Sequence, residues 1–264
     1  MALSADKYYA ATIVERKDLA PDLWTIRLAP SGPFSFTAGQ YATLAVDRGG
    51  ARHEKAYSIV SSPYEPQLEF FIELVPRGEL TPLLHELGVG QTLLMRKASK
   101  GRFTLDLKSG RAKHLLLATV TGIAPFVSYV RALYRDWKQG TMPAPVELFI
   151  LDGASRSWEF GYREELERCA AEVPWLKYVP TVSRPWEDPS WKGETGRVDE
   201  LIRKYADQWG CVPGQASAYM CGHPQMIESA MSILKRRGFA KDALQQEVYW
   251  IPSKRPLPEN APAT

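Results

Sequence analysis

Three short segments of this chain carry side chains that suit the binding of a redox cofactor. Residues 55–58 read Lys-Ala-Tyr-Ser. On a strand, Lys55 and Tyr57 would share one face and Ser58 would lie on the other. An aromatic side chain such as that of Tyr57 can pack on a flavin ring, and a hydroxyl group such as that of Ser58 can bond its reactive nitrogen. A cation such as Lys55 can bind the flavin phosphates. These residues are therefore a candidate flavin site, although an ordinary amphipathic strand would show the same pattern.

The second segment, residues 121–125, reads Thr-Gly-Ile-Ala-Pro and follows the apolar run 115–118. A buried strand should end there, and a helix should begin at Pro125 or the next residue. Because nucleotides bind at the carboxyl ends of parallel strands, Thr121 and Gly122 are candidates for contacting a dinucleotide.

The third segment, residues 221–224, reads Cys-Gly-His-Pro and lies at another junction between a strand and a helix. Pro224 suits the first position of a helix, and Gly238 after three basic residues suits its end. A buried cysteine most often packs as a small apolar residue, and His223 is expected at the surface.

The elements that must position these segments change character near residue 108. Short apolar runs separated by glycine and proline come before it, which predicts a small antiparallel barrel. These runs cover residues 11–16, 23–28, 40–46, 56–60, 68–75, 91–96 and 102–105. Buried runs alternating with helical stretches come after it, which predicts a parallel sheet with helices on both faces. The later runs cover residues 114–120, 146–152, 178–183 and 218–221.

The length of 264 residues favours two domains, because single hydrophobic cores stop growing near this size. We predict a β-barrel domain over residues 1–108 and an α/β domain over residues 109–250. Residues 251–264 form a proline-rich extension, expected to be either a disordered tail or an extended strap.

Composition argues against several other classes of protein. A net charge of +3 without a basic tract does not suit a protein that binds nucleic acid. The three cysteines form no Cys-x-x-Cys pair, so we expect no metal site, and a cytoplasmic location fits. Since no run of about 18 apolar residues occurs, we expect no insertion into a membrane. We also expect a monomer.

In their order along the chain, these segments resemble motifs of the ferredoxin–NADP reductase family. The family's Arg-x-Tyr-Ser motif is matched by residues 55–58, with Lys55 in place of the arginine. The resemblance implies that Lys55 lies on the pyrophosphate of FAD, Tyr57 against the flavin ring and Ser58 at its N5 atom. It covers nearly the whole chain and implies an FAD-binding barrel followed by an NADP-binding α/β domain.

Two further segments extend this resemblance on the flavin side. Residues 78–81 are similar to the family's Gly-x-x-Ser/Thr turn, which holds the FAD pyrophosphate, and Thr81 is placed to cap the helix expected over residues 82–87. Residues 247–250 resemble the end of bacterial members, which implies that Tyr249 covers the isoalloxazine ring and Trp250 the adenine side. The residues that the resemblance assigns to FAD are Lys55, Ala56, Tyr57, Ser58, Gly78, Thr81, Tyr249 and Trp250.

On the dinucleotide side, residues 120–125 resemble the family's Gly-Thr-Gly-Ile-Ala-Pro turn, with Val120 in place of the first glycine. Valine is a poor residue wherever the backbone φ angle must be positive, so Val120 is expected to tighten or restrict the turn. A set of arginines resembles the family's site for the 2′-phosphate, which favours NADP over NAD. The residues assigned to NADP are Thr121, Gly122, Arg156, Ser183, Arg184, Arg197, Cys221 and Gly222.

The resemblance implies an FAD-dependent oxidoreductase that transfers hydride between NADP(H) and flavin and exchanges single electrons with ferredoxin or flavodoxin. The residues expected at the reacting end are Ser58, Cys221, Glu247 and Tyr249. Cys221 would pack near the nicotinamide C4 atom, and Ser58 and Glu247 would serve proton movement or polarisation.

Two alternatives stay open. The reductase component of an oxygenase, or a flavin or cytochrome reductase, would share both domains but pass electrons to another carrier. A flavin-binding regulatory subunit would bind the cofactor without nicotinamide turnover, if Val120 blocks access for the dinucleotide.

Overall fold

The computed structural model describes residues 7–143 and 145–248, and its amino-terminal half contains one antiparallel sheet. The strands are β1 (Tyr8–Ala20), β2 (Leu23–Pro30), β3 (Tyr41–Arg48), β4 (Ala51–Ser58), β5 (Leu68–Glu73) and β6 (Thr92–Arg96). In the described part of the chain, their order across the sheet is β4-β3-β6-β1-β2-β5. A short helix, α1 (Thr81–His85), follows β5.

Alternating apolar side chains build the core inside this sheet. Trp24, Ile26 and Leu28 are buried on one face of β2 and belong to the same cluster as buried residues of β5. Beyond β4 the chain turns onto β5, where the Val60 N–H donates to the carbonyl oxygen of Glu69 at 2.9 Å. The two edges of the sheet therefore approach each other, and the expected antiparallel barrel architecture is confirmed.

The carboxyl-terminal half contains a parallel sheet with helices on both faces, which is also the predicted architecture. The strands are β7 (Lys113–Thr119), β8 (Glu147–Ala154), β9 (Leu176–Val182), β10 (Glu194–Thr195), β11 (Ala216–Cys221) and β12 (Leu244–Glu247). The helices are α2 (Ala124–Lys138), α3 (Arg163–Glu172), α4 (Val198–Gln208) and α5 (Pro224–Arg236). Among the described residues, the strand order is β10-β9-β8-β7-β11-β12.

The direction of strand addition reverses beside β7. The chain first adds β8, β9 and β10 on one side of β7 and later adds β11 and β12 on the other. Ala118 of β7 pairs with Cys221 of β11, so the carboxyl ends of these two strands lie side by side. Ligands of open parallel sheets bind outside the carboxyl ends of the strands at such a reversal.

Both faces of β7 are covered. Leu116 packs toward α2 and α3, whereas Leu115 and Leu117 belong to the cluster that includes residues of α4 and α5. This alternation follows from the period of two along a strand, and it explains why the sequence of β7 is a continuous apolar run.

One apolar core joins the two halves of the chain. Leu23, Val60, Phe71 and Phe103 of the amino-terminal half belong to the same buried cluster as residues of α2, α3 and the parallel sheet. The relative position of the two halves is therefore set by close packing rather than by a linker alone.

Several elements differ from the sequence-based prediction. Residues 102–105 are not a strand, because the backbone of Phe103 instead offers its carbonyl oxygen to the hydroxyl group of Tyr129. Strand β4 ends at Ser58 rather than at residue 60. Strands β10 and β12 were not predicted, since one has two residues and the other reads Leu-Gln-Gln-Glu. No helix in the described ranges is long and apolar enough to cross a membrane.

Candidate active site between the two halves

A hydrogen bond between Ser58 and Glu247 marks the meeting point of the two halves. Ser58 is the last residue of β4, is 4% exposed, and donates from its hydroxyl group to Oε2 of Glu247 at 2.8 Å. Glu247 is the last residue of β12, at the carboxyl-terminal edge of the parallel sheet. Two residues predicted at the reacting end are therefore in direct contact across the joint.

Cys221 lies beside this pair. It is buried at the carboxyl end of β11, and Glu247 is its register partner on the neighbouring parallel strand. The structure thus brings Ser58, Cys221 and Glu247 together at one place. The fourth residue expected there, Tyr249, lies outside the described residues, and so does Trp250.

The surroundings of Glu247 favour a carboxyl group that holds its proton more tightly than usual. Burial raises the pKa of Glu247, and the hydrogen bond from Ser58 opposes part of this rise. A hydroxyl group and a carboxyl group in contact can pass a proton between them, because each can donate and accept.

The turns after β7 and β11 fit together through two glycines. A Cβ atom on Gly122 would lie 2.2 Å from the carbonyl oxygen of Cys221. Gly222 has a φ angle of +126°, and a Cβ atom there would lie 2.2 Å from Oγ1 of Thr119. The same Thr119 oxygen accepts a hydrogen bond from the backbone N–H of His223 at 2.7 Å. Only glycine allows this approach, which places bare backbone at the reversal point of the sheet.

Val120 occupies a strained conformation in the same turn. Among the described residues, it is the only one other than glycine with a positive φ angle, 47°. A β-branched side chain is sterically unfavourable in this left-handed region. A valine held at this φ angle restricts the backbone of the turn, in line with the expectation from the sequence.

The candidate contacts for flavin lie on the edge strand β4 and in the turn before α1. Lys55 and Ala56 are exposed, and Tyr57 is half-buried, where burial raises the pKa of its phenol. The expectation that Thr81 caps α1 is wrong. Thr81 is the first residue of the helix, and its hydroxyl group instead bonds both the N–H and the carbonyl oxygen of Val75, at 2.9 Å and 3.2 Å.

The turn at residues 75–81 is closed from within. The Gly78 N–H donates to the Val75 carbonyl oxygen at 2.8 Å, and a Cβ atom on Gly78 would lie 3.0 Å from that oxygen. Thr81 and Gly78 therefore fix the shape of the turn, and any anion bound there would meet exposed backbone rather than the threonine hydroxyl.

The arginines expected at a 2′-phosphate are all paired with acidic residues. Arg156 contacts Glu159 at 3.1 Å and also contacts Glu187. Arg184 lies 3.7 Å from the other oxygen of Glu187. The side chain of Arg197 lies 3.3 Å from Asp199.

Ser183 and Arg184 lie beside the loop after β8. The Ser183 N–H donates to the carbonyl oxygen of Ala154 at 2.9 Å, and the Arg184 N–H donates to that of Ser155 at 3.0 Å. These bonds bring together the ends of β8 and β9, and with them Arg156 and Arg184. Sequence reasoning missed the acidic partners, although Glu159 and Glu187 each follow an arginine by three residues.

Asp152 is a second residue that sequence reasoning missed. It is buried in β8 near the same strand ends, and one of its oxygens accepts a hydrogen bond from Tyr178 at 2.9 Å. The other oxygen has no hydrogen-bond partner among the described residues. Burial raises the pKa of Asp152 to about 8, against the opposing effect of the Tyr178 bond. The sequence does contain a signal for this residue, because Asp152 is a single carboxyl group within the apolar run of β8.

Comparison with known proteins matches both halves of the chain. An oxidoreductase FAD-binding domain model matches residues 10–105, and an oxidoreductase NAD-binding domain model matches residues 116–232. Ferredoxin–NADP reductase A of Sorangium cellulosum is 30% identical over 97% of this chain and 95% of its own length. The phenol hydroxylase P5 protein of Acinetobacter pittii is 32% identical to this chain. The matched region covers 89% of this chain and 64% of the length of that protein.

A solved structure shows the same fold. The ferredoxin NADP⁺ reductase from Neisseria gonorrhoeae, with bound FAD and NADP, superposes with a TM-score of 0.79. The likeness covers 92% of this chain and 99% of that chain at 22% sequence identity.

The side chains of the site fit a flavin and a nicotinamide dinucleotide. Lys55 and Tyr57 lie on the edge strand β4, and the hydroxyl group of Ser58 contacts the carboxyl group of Glu247 where the two halves meet. The arginines lie beyond the carboxyl ends of β8 and β9. These donors suit phosphates, an aromatic ring system and a reacting nitrogen. Among the described residues, no group of three or more His, Cys, Asp or Glu side chains could hold a metal ion.

Proposed function

Because this chain belongs to the ferredoxin–NADP reductase family of FAD-dependent oxidoreductases, we propose that it transfers hydride between NADP(H) and FAD and passes single electrons to a ferredoxin. The observation that carries the proposal is the contact between Ser58 and Glu247 beside Cys221. It brings one residue of the FAD-binding half and two residues of the nicotinamide-binding half to one point. We assign the division between the domains to a position near residue 108.

When bound, FAD accepts the hydride as an electron pair and releases single electrons. We assign the contacts of its ring to Tyr57 and Ser58 and those of its pyrophosphate to Lys55 and the backbone of the turn at residues 75–81. The phenol of Tyr57 is neutral at physiological pH and burial raises its pKa further, so it offers an uncharged aromatic face. Lysine gives the phosphates a point charge without the two-pronged geometry of arginine.

Ser58 and Glu247 handle the proton that accompanies reduction. The Ser58 hydroxyl group donates to Oε2 of Glu247, and burial raises the pKa of Glu247, so its carboxylate takes up a proton more readily than an exposed glutamate would. Cys221 acts through its position: a small buried side chain at the strand end leaves room for a flat ring without forming a covalent bond.

The dinucleotide proposed here is NADP. The backbone of Thr121, Gly122 and Gly222 supplies the surface at the reversal point of the sheet, and Ser183 and the arginines supply the contacts to the 2′-phosphate. The proximity of Arg156 and Arg184, which share Glu187, supports a common phosphate site for these two side chains.

The carrier is proposed to be a ferredoxin, with flavodoxin as a second acceptor, and the protein is proposed to act as a cytoplasmic monomer. Similarity to the phenol hydroxylase P5 protein favours one alternative, in which this chain supplies electrons to an oxygenase. Both functions use the same two domains, and only the last acceptor differs.

Anaerobic reduction of the purified protein tests the proposal. We expect equimolar FAD in the protein and rapid loss of the visible flavin absorption with NADPH, more slowly with NADH. The reduced protein should then reduce a ferredoxin. A protein that takes up no FAD, or a flavin that both nucleotides leave oxidised, would contradict the proposed function. Reduction by NADPH without transfer to ferredoxins or flavodoxins would favour the oxygenase system.

A further inference from the structure

Glu187 occupies the place between two arginines that a phosphate group would take. One carboxylate oxygen contacts Arg156, and the other lies 3.7 Å from Nη1 of Arg184. Among the described residues, these two guanidinium groups account for the ion pairs of Glu187. A bridging carboxylate of this kind presents a negative charge to both arginines, as a phosphate does.

We propose that Glu187 is a specificity-determining residue, which competes with the 2′-phosphate for Arg156 and Arg184 and so sets how strongly NADP is preferred over NAD. The inference rests on the proposed function, because it requires these arginines to form the 2′-phosphate site. In the absence of the phosphate, the carboxylate pairs with both guanidinium groups. When the phosphate binds, it must displace the carboxylate.

The position of Glu187 allows this displacement. It lies in a single turn, Pro185–Glu187, separated from the end of β9 by two residues, and its side chain is 34% exposed. The side chain of Arg184 is 49% exposed, so both partners can move without disturbing the core. A phosphate with up to two negative charges outcompetes a single carboxylate for the same cations.

Glu159, the other acidic partner of Arg156, has a different role. Its second oxygen accepts a hydrogen bond from the backbone N–H of Ser155 at 2.8 Å. That bond ties the carboxylate to the loop after β8, so Glu159 orients the Arg156 side chain and stays in place when the phosphate binds. Competition is therefore assigned to Glu187 and orientation to Glu159.

Binding of two ligands that differ only in the 2′-phosphate tests this inference. Adenosine 2′,5′-bisphosphate and adenosine 5′-monophosphate are titrated by calorimetry into the FAD-loaded protein and its variants. We expect Glu187→Gln to bind the bisphosphate about two- to fivefold more tightly, the size of effect typical of a partly exposed ion pair. Binding of the monophosphate should not change.

Two variants complete the experiment. Glu172→Gln removes the same charge near the amino-terminal end of β9, where Glu172 pairs with Lys138, and it should change neither affinity. Arg184→Ala should remove the preference for the bisphosphate. In steady-state assays, Glu187→Gln should lower KM for NADPH and leave KM for NADH unchanged.

The remaining outcomes separate the inference from the proposed function. If Arg184→Ala loses the preference but Glu187→Gln binds the bisphosphate no more tightly than the unmodified protein, the phosphate site stands and competition by Glu187 is refuted. Weaker binding by Glu187→Gln also refutes it, because Glu187 would then orient the arginines. If neither variant changes the affinity for the bisphosphate, the proposed 2′-phosphate site itself is wrong.

Discussion

Arg131 of α2 reaches the carboxylate of Glu69 on β5, and their contact at 2.7 Å ties the nicotinamide-binding half to the FAD-binding half. Glu69 is 6% exposed and also accepts a hydrogen bond from Tyr162 of the second half at 2.8 Å. A buried carboxylate is tolerated only when it is paired, so this contact matters most when one partner is removed.

Replacing Arg131 with methionine should destabilise the protein. Arg131→Met removes the closer of the two arginines paired with Glu69 and leaves Arg27 at 3.0 Å, so the free energy of unfolding should fall by about 1.5–3 kcal/mol, the size of a charge-assisted hydrogen bond. Urea denaturation of the FAD-loaded protein measures the change. Lys138→Met on the same helix removes an exposed pair with Glu172 and should leave the midpoint unchanged. Equal losses of stability in the two variants would show that the buried pair stabilises the protein no more than the exposed pair does.

At position 120, glycine should give a more stable protein than alanine, which is the reverse of their usual order in stability. At ordinary positions alanine is more stabilising than glycine, by about 0.5–1 kcal/mol. At a φ angle of 47°, glycine avoids a penalty of about 1–2 kcal/mol that alanine keeps. Val120→Gly should therefore unfold at a higher temperature than Val120→Ala. A more stable Val120→Ala would mean that the turn does not hold this conformation in solution.

Asp152 should give the protein a stability that depends on pH. Its folded pKa of about 8 lies above the ordinary value of 3.8, so the folded state holds a proton that the unfolded state releases. The resulting stabilisation is full below pH 3.8, declines as the pH rises and is lost above about pH 8.

Asp152→Asn removes this titration while keeping an oxygen that can accept the bond from Tyr178. The unfolding free energy of the unmodified protein should fall relative to Asp152→Asn by on the order of 3 kcal/mol between about pH 5 and pH 8. Thermal denaturation at several pH values measures this difference. A constant difference across the range would show that Asp152 is ionised in the folded protein.

The architecture could be predicted from the sequence because the two halves of the chain have different patterns. Short apolar runs separated by glycine and proline precede residue 108, and longer apolar runs that alternate with helical stretches follow it. Continuous apolar runs such as that of β7 predict a buried parallel strand, and Gly122 and Gly222 sit where two turns must approach closely. Strand β12 was not predicted because its sequence is mostly polar. It forms a strand because its backbone pairs with that of β11. Local propensity carries no information about such a partner.

The candidate site was only partly predictable for the same reason. Motifs identify Ser58 and Cys221, but their proximity depends on how the two halves of the chain pack against each other. Thr81 before a proline has the pattern of a helix cap, yet the turn at residues 75–81 uses its hydroxyl group for closure. The contacts of Glu187 with Arg156 and Arg184 form only because the ends of β8 and β9 lie side by side.

The central claim is that the two halves form one active site at the contact between Ser58 and Glu247. Rapid anaerobic mixing with NADPH, followed through the visible flavin absorption, tests it most directly. Ser58→Ala and Glu247→Gln should retain FAD but reduce the rate of flavin reduction at least about tenfold. Ser99→Ala, which removes another serine of the FAD-binding half, should react at the unmodified rate. Unchanged flavin reduction in both Ser58→Ala and Glu247→Gln would contradict the claim.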